Sequence, residues 1–180
     1  DIQYIISKFK NSKQLLINFK KLFMATLIYQ MRDNFGHTEQ YPIFEIENGK
    51  YYEMRDNFGH RNQYPFLEIE RDKVYEMRDN FGHKEQYPYL EIEQGKIFKM
   101  RDNFGHKEQY PFLVFDRDKI FRMRDNFGHT EQYHILEIEN GNIYEMRDNF
   151  GHKKQYPFLK IEGRYSIADI FIILMQVGKL

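Results

Sequence analysis

The heptapeptide Met-Arg-Asp-Asn-Phe-Gly-His occurs six times at a constant interval of 23 residues, starting at Met31, Met54, Met77, Met100, Met123 and Met146. A chain that repeats itself at such a period builds equivalent units, each packed mainly on its neighbours, because one unit alone cannot bury its apolar face. The repeats divide the 180 residues into three parts: 1–27, a leader or cap; 28–162, a six-repeat domain; and 163–180, an apolar C-terminal cap.

Within one repeat, Tyr64-Pro-Phe-Leu-Glu-Ile-Glu70 and Val74-Tyr-Glu-Met-Arg-Asp79 each alternate apolar and polar residues, with turn formers between them. That pattern reads as strand, tight turn, strand. The turn falls at Asn48-Gly49, Arg71-Asp72, Gln94-Gly95, Arg117-Asp118 and Asn140-Gly141, and its second residue is only ever Gly or Asp. Such a restriction predicts a left-handed backbone at the second position. A three-residue loop Glu47-Asn48-Gly49 would pair Ile46 with Lys50 and Phe44 with Tyr52, placing Phe44, Ile46, Tyr52 and Met54 on one face and Glu45 and Glu53 on the other. The expected fold is therefore all-β: an elongated antiparallel sheet of hairpins. A parallel β-solenoid with one coil per 23 residues is the alternative.

Cysteine is absent, which removes disulfides and thiolate metal sites. Formal charge is zero, with 27 basic and 27 acidic residues. Residues 1–23 hold five lysines and Asp1, and residues 163–180 hold Arg164, Lys179 and Asp169, so the repeats carry 20 basic against 25 acidic side chains. A net-acidic body argues against nucleic acid as a partner. A cytoplasmic location is compatible with this composition. In 1–23 the apolar Ile2, Ile5, Ile6, Phe9, Leu16 and Phe19 recur at helical spacing among lysines. A cap or leader is the simpler reading of that segment, and membrane binding is not expected. The run Ile170–Val177 is far shorter than the roughly 20 residues of a spanning helix.

Few residues suggest chemistry. Serine occurs only at Ser7, Ser12 and Ser166, outside the repeats, and no nucleophile elbow, phosphate loop or dinucleotide fingerprint is present. Six equal copies also argue against a single reaction centre, so no enzyme and no cofactor is expected. The one constellation is Asp33-x-x-x-His37 and its copies. Imidazole and carboxylate groups are metal donors, yet a loop in which Asp caps backbone amides and Gly permits a bend explains them more simply. We therefore assign no metal, and treat His37, His60, His83, His106, His129 and His152 as a candidate interaction surface. Tyr41, Phe35 and Tyr52 would serve a partner only if exposed; residues of this kind at strand spacing are ordinarily core.

The 23-residue period, the turn Asn48-Gly49-Lys50 followed by Tyr51-Tyr52, and the Tyr-rich strands resemble MORN-type repeats across residues 28–162. That resemblance implies an elongated hairpin sheet and a role as a scaffold or membrane-proximal docking module. The paired glycines of that family are replaced here by a segment with one Gly, so the resemblance carries no functional residue. The chain also resembles short repetitive proteins of bacteria, which implies no activity. The expected function is a non-enzymatic scaffold for protein–protein association, the alternative a carbohydrate- or cell-surface-binding module using its repeated aromatic residues. Self-association through open sheet edges would also follow from an open sheet.

Overall fold

A computed structural model describes residues 25–180 with the exception of Asn126; the leader or cap expected in residues 1–23 lies outside the described residues. Twelve short strands occur in chain order: β1 (Thr26–Gln30), β2 (Phe44–Glu47), β3 (Lys50–Glu53), β4 (Leu67–Glu70), β5 (Lys73–Glu76), β6 (Leu90–Glu93), β7 (Lys96–Lys99), β8 (Leu113–Asp116), β9 (Lys119–Arg122), β10 (Leu136–Glu139), β11 (Asn142–Glu145) and β12 (Leu159–Glu162). One helix, α1 (Ile167–Gln176), follows them. All pairings are antiparallel, which excludes the solenoid.

Each repeat folds as a hairpin, as expected, but the register differs by one residue. Ile46 pairs with Tyr51 and Glu47 with Lys50, leaving a two-residue loop at Asn48-Gly49. Both loop residues have positive φ, 54° and 74°, the type I′ turn that matches strand twist. In the Arg71-Asp72 and Arg117-Asp118 turns only the arginines do, so the left-handed position common to every copy is the first and not the second. A one-residue slip exchanges faces. Phe44, Ile46, Tyr51 and Glu53 therefore lie together, and Tyr52 joins Glu45 and Glu47 on the opposite side.

The sheet is not elongated. It closes, because β1 pairs with β12 on one side and β2 on the other, making a twelve-stranded barrel. Ile46 pairs with Tyr51 and Tyr51 with Leu67, so the residue two strands from Ile46 falls two short of its repeat equivalent Ile69. The same offset spans the seam, where Ile161 pairs with Ile28 and Ile28 with Phe44, two short of Ile46. Six such offsets give a stagger of about 12 residues, equal to the strand number, as in the eight-stranded barrel whose strands tilt by about 36°. Identical hairpins repeating one twist and one offset thus curl into a ring. Closure makes β12 and β1 the two halves of a sixth hairpin, in the register of the other five. It also leaves no free sheet edge among the described strands, so edge-to-edge self-association has nothing to pair with.

The bore, about 10 Å in radius, is filled by α1. Five consecutive residues of this helix, Ile170, Phe171, Ile172, Ile173 and Leu174, are buried. Consecutive residues point in all directions round a helix, so burial of all five requires neighbours on every side. The inner wall supplies them: Ile28, Tyr51, Val74, Ile97, Ile120 and Ile143 in one ring, with Leu67, Leu90, Leu113, Leu136 and Leu159 in the next. A capping box between Ser166 and Asp169 starts the helix. It ends at Gly178 (φ 69°), where Gly178 and Lys179 N–H groups donate to the Met175 and Leu174 carbonyls in a Schellman arrangement. Two inner-wall hydroxyls reach the C-terminal segment: Tyr51 donates to Asp169, and Thr26 donates to the Arg164 carbonyl.

Outside, three of the four Glu-x-Glu pairs are clamped by a cation from the following loop, and in the fourth Lys84 meets Glu70 alone. Arg61 bridges Glu45 and Glu47, and its guanidinium lies 4.2 Å from the Tyr52 ring centroid, which accounts for the burial of an outward Tyr. Lys107 repeats this with Glu91, Glu93 and Phe98, and Lys153 with Glu137, Glu139 and Tyr144.

Candidate functional site: the loop rim

All connections from the second strand of one repeat to the first strand of the next emerge at the same end of an up-and-down barrel, so the six heptapeptides line one rim. The local chemistry holds each loop in one shape. Met31 bridges to Thr38, and the Arg32 N–H donates to the His37 carbonyl at 2.8 Å. Inside this bend Asp33 Oδ1 accepts the N–H groups of Phe35 (2.9 Å) and His37 (3.3 Å), while Oδ2 meets His37 Nδ1 at 2.7 Å. The remaining five loops show the same set of bonds. The histidine hydrogen bond holds each of these carboxyls, Asp33, Asp56, Asp79, Asp102, Asp125 and Asp148, below its ordinary value. Gly82 is required twice over: φ is +83°, and a Cβ would lie 3.1 Å from the Tyr64 ring of the preceding repeat.

These bonds account for the Asp, the Gly and one nitrogen of the His. Of the four residues that remain, Met is half-buried and Arg, Asn and Phe are exposed. Phe35, Phe58, Phe81, Phe104, Phe127 and Phe150 are 68–74% exposed, each near the apex of its loop. Five of them touch the Tyr of the preceding repeat edge-on, with centroids 6.0–6.3 Å apart, the Phe35–Tyr156 pair crossing the seam. Arg55, Arg124 and Arg147 are 66–71% exposed and come no nearer an acid than 3.7–3.8 Å from the adjacent Asp. Asn34, Asn57, Asn80, Asn103 and Asn149 are exposed as well.

Between neighbouring loops lie clefts of one design. The cleft between Tyr87-Pro88 and Met100-Arg101-Asp102-Asn103 measures about 650 Å³. Its counterparts at Tyr64-Pro65, Tyr110-Pro111 and, across the seam, Tyr156-Pro157 measure about 600, 460 and 550 Å³.

The six histidines singled out from the sequence all lie on this rim, their side chains 62–65% exposed. Each is paired with its own Asp, and among the described residues no group of three His, Asp or Glu converges as a metal would need. The expectation that Phe35 is core is corrected: it is exposed, while Tyr52 is the buried one. A signal for this was present. The strands differ from copy to copy, as in Phe44-Glu-Ile-Glu, Leu113-Val-Phe-Asp and Leu159-Lys-Ile-Glu, whereas the loop heptapeptide never changes. Surface loops ordinarily vary more than the elements they join.

Comparison with protein-family models, characterised proteins and solved structures gives no match.

Proposed function

We propose that this protein is a non-enzymatic scaffold that holds its partner at the loop rim, offering one contact motif six times. The observation that carries this reading is the Phe of every loop, about 70% exposed at a position that varies in none of the repeats. Leaving six such rings in water forgoes the burial available in a core, and the loop holds its shape through Asp, Gly and His alone. The outer wall supports the reading by contrast, since its carboxylates are largely neutralised by the chain's own Arg61, Lys84, Lys107 and Lys153. Partner recognition along the outward face of the strands therefore has less to offer.

The test compares the intact chain with a rim variant carrying serine at Phe35, Phe58, Phe81, Phe104, Phe127 and Phe150, and with a wall variant carrying Glu45→Gln and Glu91→Gln. All three are presented to cell lysate and to a glycan array. Binding that is lost in the rim variant and kept in the wall variant supports the proposal. Binding that survives the rim substitutions refutes it.

A further inference from the structure

Deepening the rim reading and resting on it, we propose that the inter-loop clefts are saccharide subsites, arranged so that one polysaccharide or glycan cluster occupies several together. Their lining suits sugar better than other ligands of that size. Apolar small molecules take enclosed, mostly hydrophobic pockets; these clefts are shallow and mixed. Each offers one half-exposed Tyr ring as an aromatic wall, Tyr64, Tyr87 and Tyr156 being 39%, 40% and 36% exposed. Beside it stand an Arg fork, an Asp carboxylate and, in three of the four, an Asn amide, as in Arg101, Asp102 and Asn103. A sugar ring presents the complementary set: an apolar C–H face for an aromatic ring, and adjacent hydroxyls that both donate and accept.

The same groups argue against the competitors. Phosphate or a nucleotide would meet Asp102 and Glu76 in the cleft that holds Arg101; the clefts at Tyr64 and Tyr110 also carry more acids than cations, and across the seam Lys154 and Lys179 are already paired with Glu145. A broad protein interface would use a continuous apolar patch, whereas here the Phe side chains are separated by polar clefts. Repetition supplies what a shallow site lacks. Individually weak subsites on one rigid ring raise the affinity for a repeating ligand by about 10²–10⁴-fold without any new contact.

The test uses the full chain and insoluble or polymeric probes: chitin, xylan, laminarin and dextran, together with the oligosaccharide of whichever is retained. Retention of at least one polymer is expected. Its oligosaccharide should bind more weakly than the polymer by about a hundredfold or more. Replacing Asn34, Asn80 and Asn103 by Ala should weaken retention while leaving the thermal melt unchanged. Arg101→Lys, which keeps charge but loses the planar fork, should lower the number of oligosaccharide sites seen by calorimetry and leave the others intact. Failure of all four polymers and of the glycan array, or retention indifferent to the Asn and Arg substitutions, overturns the saccharide assignment. If the Phe-to-Ser rim variant loses a protein from lysate that resists deglycosylation, or loses binding to phosphatidylcholine–phosphatidylserine vesicles, the rim reading stands and the saccharide assignment falls. If no probe shows rim dependence, both fall.

Discussion

Tyr51 is the place where the barrel distinguishes one of its six hairpins from the others. Its equivalents are Ile28, Val74, Ile97, Ile120 and Ile143, all apolar, while Tyr51 is 1% exposed and its hydroxyl donates to Asp169 Oδ1 in the first turn of α1. Substitution by Phe keeps the ring and removes that bond. Asp169 retains the Ser166 N–H (2.6 Å) and hydroxyl (2.8 Å) on its other oxygen, so the helix cap survives and the loss is confined to one hydrogen bond to a charged acceptor. Such a bond contributes about 1.5–3 kcal/mol, or a fall of about 3–12 °C in Tm at about 2–4 °C per kcal/mol for a chain of this size. Burial, with the Asp169 charge and hydrogen bond beside it, pushes the Tyr51 hydroxyl well above its ordinary value. Its folded pKa is raised, so the stability it provides is complete below the unfolded value near 10 and declines as pH rises beyond it. Urea unfolding of wild type and Tyr51→Phe at pH 8 and at pH 11 checks both parts: a gap of about 2 kcal/mol at pH 8 that narrows by about 1 kcal/mol at pH 11. Equal stability at pH 8, or a gap that does not narrow, would show that the inner-wall hydroxyl does not hold the helix.

Three further outcomes are expected. Gly141→Ala places a Cβ 2.6 Å from the Ile161 carbonyl at φ +79° and should cost about 1–3 kcal/mol in chemical denaturation; the pair Asn140→Arg/Gly141→Asp, which imports the Arg117-Asp118 turn, should recover most of it. His134 stands where five repeats have Pro, buried against Phe121 with Nε2 3.2 Å from Glu137, and desolvation, with Lys119 nearby, holds its pKa down. A depressed histidine loses stability as pH falls below the unfolded value near 6.5, so melts of His134→Pro between pH 7.5 and 5 should show a shallower acid decline than wild type. At the seam, the pair Thr38→Lys/Lys160→Glu should rebuild a clamp with Glu162 and raise stability by about 0.5 kcal/mol at low salt, an effect that 1 M salt removes.

Much of the hairpin was legible because turn chemistry and alternation report on local structure. Ile69 and Val74, with a turn former between them, announce a strand pair wherever they occur. The register expected from the turn falls one residue from the observed one because Gly49 satisfies both a three-residue loop and a type I′ turn; the choice lies at the position before it, which takes positive φ in every copy, in Arg71 and Gln94 as in Asn48. Ring closure was not legible from any single repeat. It depends on the two-residue offset between hairpins, a long-range quantity visible only once Tyr51 is seen to pair with Leu67. The exposed Phe was misread for a related reason: hydrophobicity predicts burial only when an element places the residue against a core, and Phe35 sits at a bend whose hydrogen bonds belong to Asp33.

One trace of the ring was nevertheless written in the sequence, in a place that a linear stack cannot explain. The cation after each His tracks the strand that precedes it in space. Arg61, Lys84, Lys107 and Lys153 follow strands carrying Glu-x-Glu, whereas Thr130 follows Val114-Phe-Asp116, where one carboxylate is missing. Thr38 also lacks a charge, yet in a linear stack no described strand with a Glu-x-Glu position stands before the first loop, and its identity would be arbitrary. In the barrel β12 precedes it: Tyr29 pairs with Lys160, and Lys160 already satisfies Glu162 at 2.6 Å. A second cation at position 38 would meet a lysine where the other loops meet a glutamate. The uncharged Thr38 therefore obeys the same rule as its five counterparts only if the last repeat abuts the first, which is the condition the proposed exchange of Thr38 and Lys160 puts to the test.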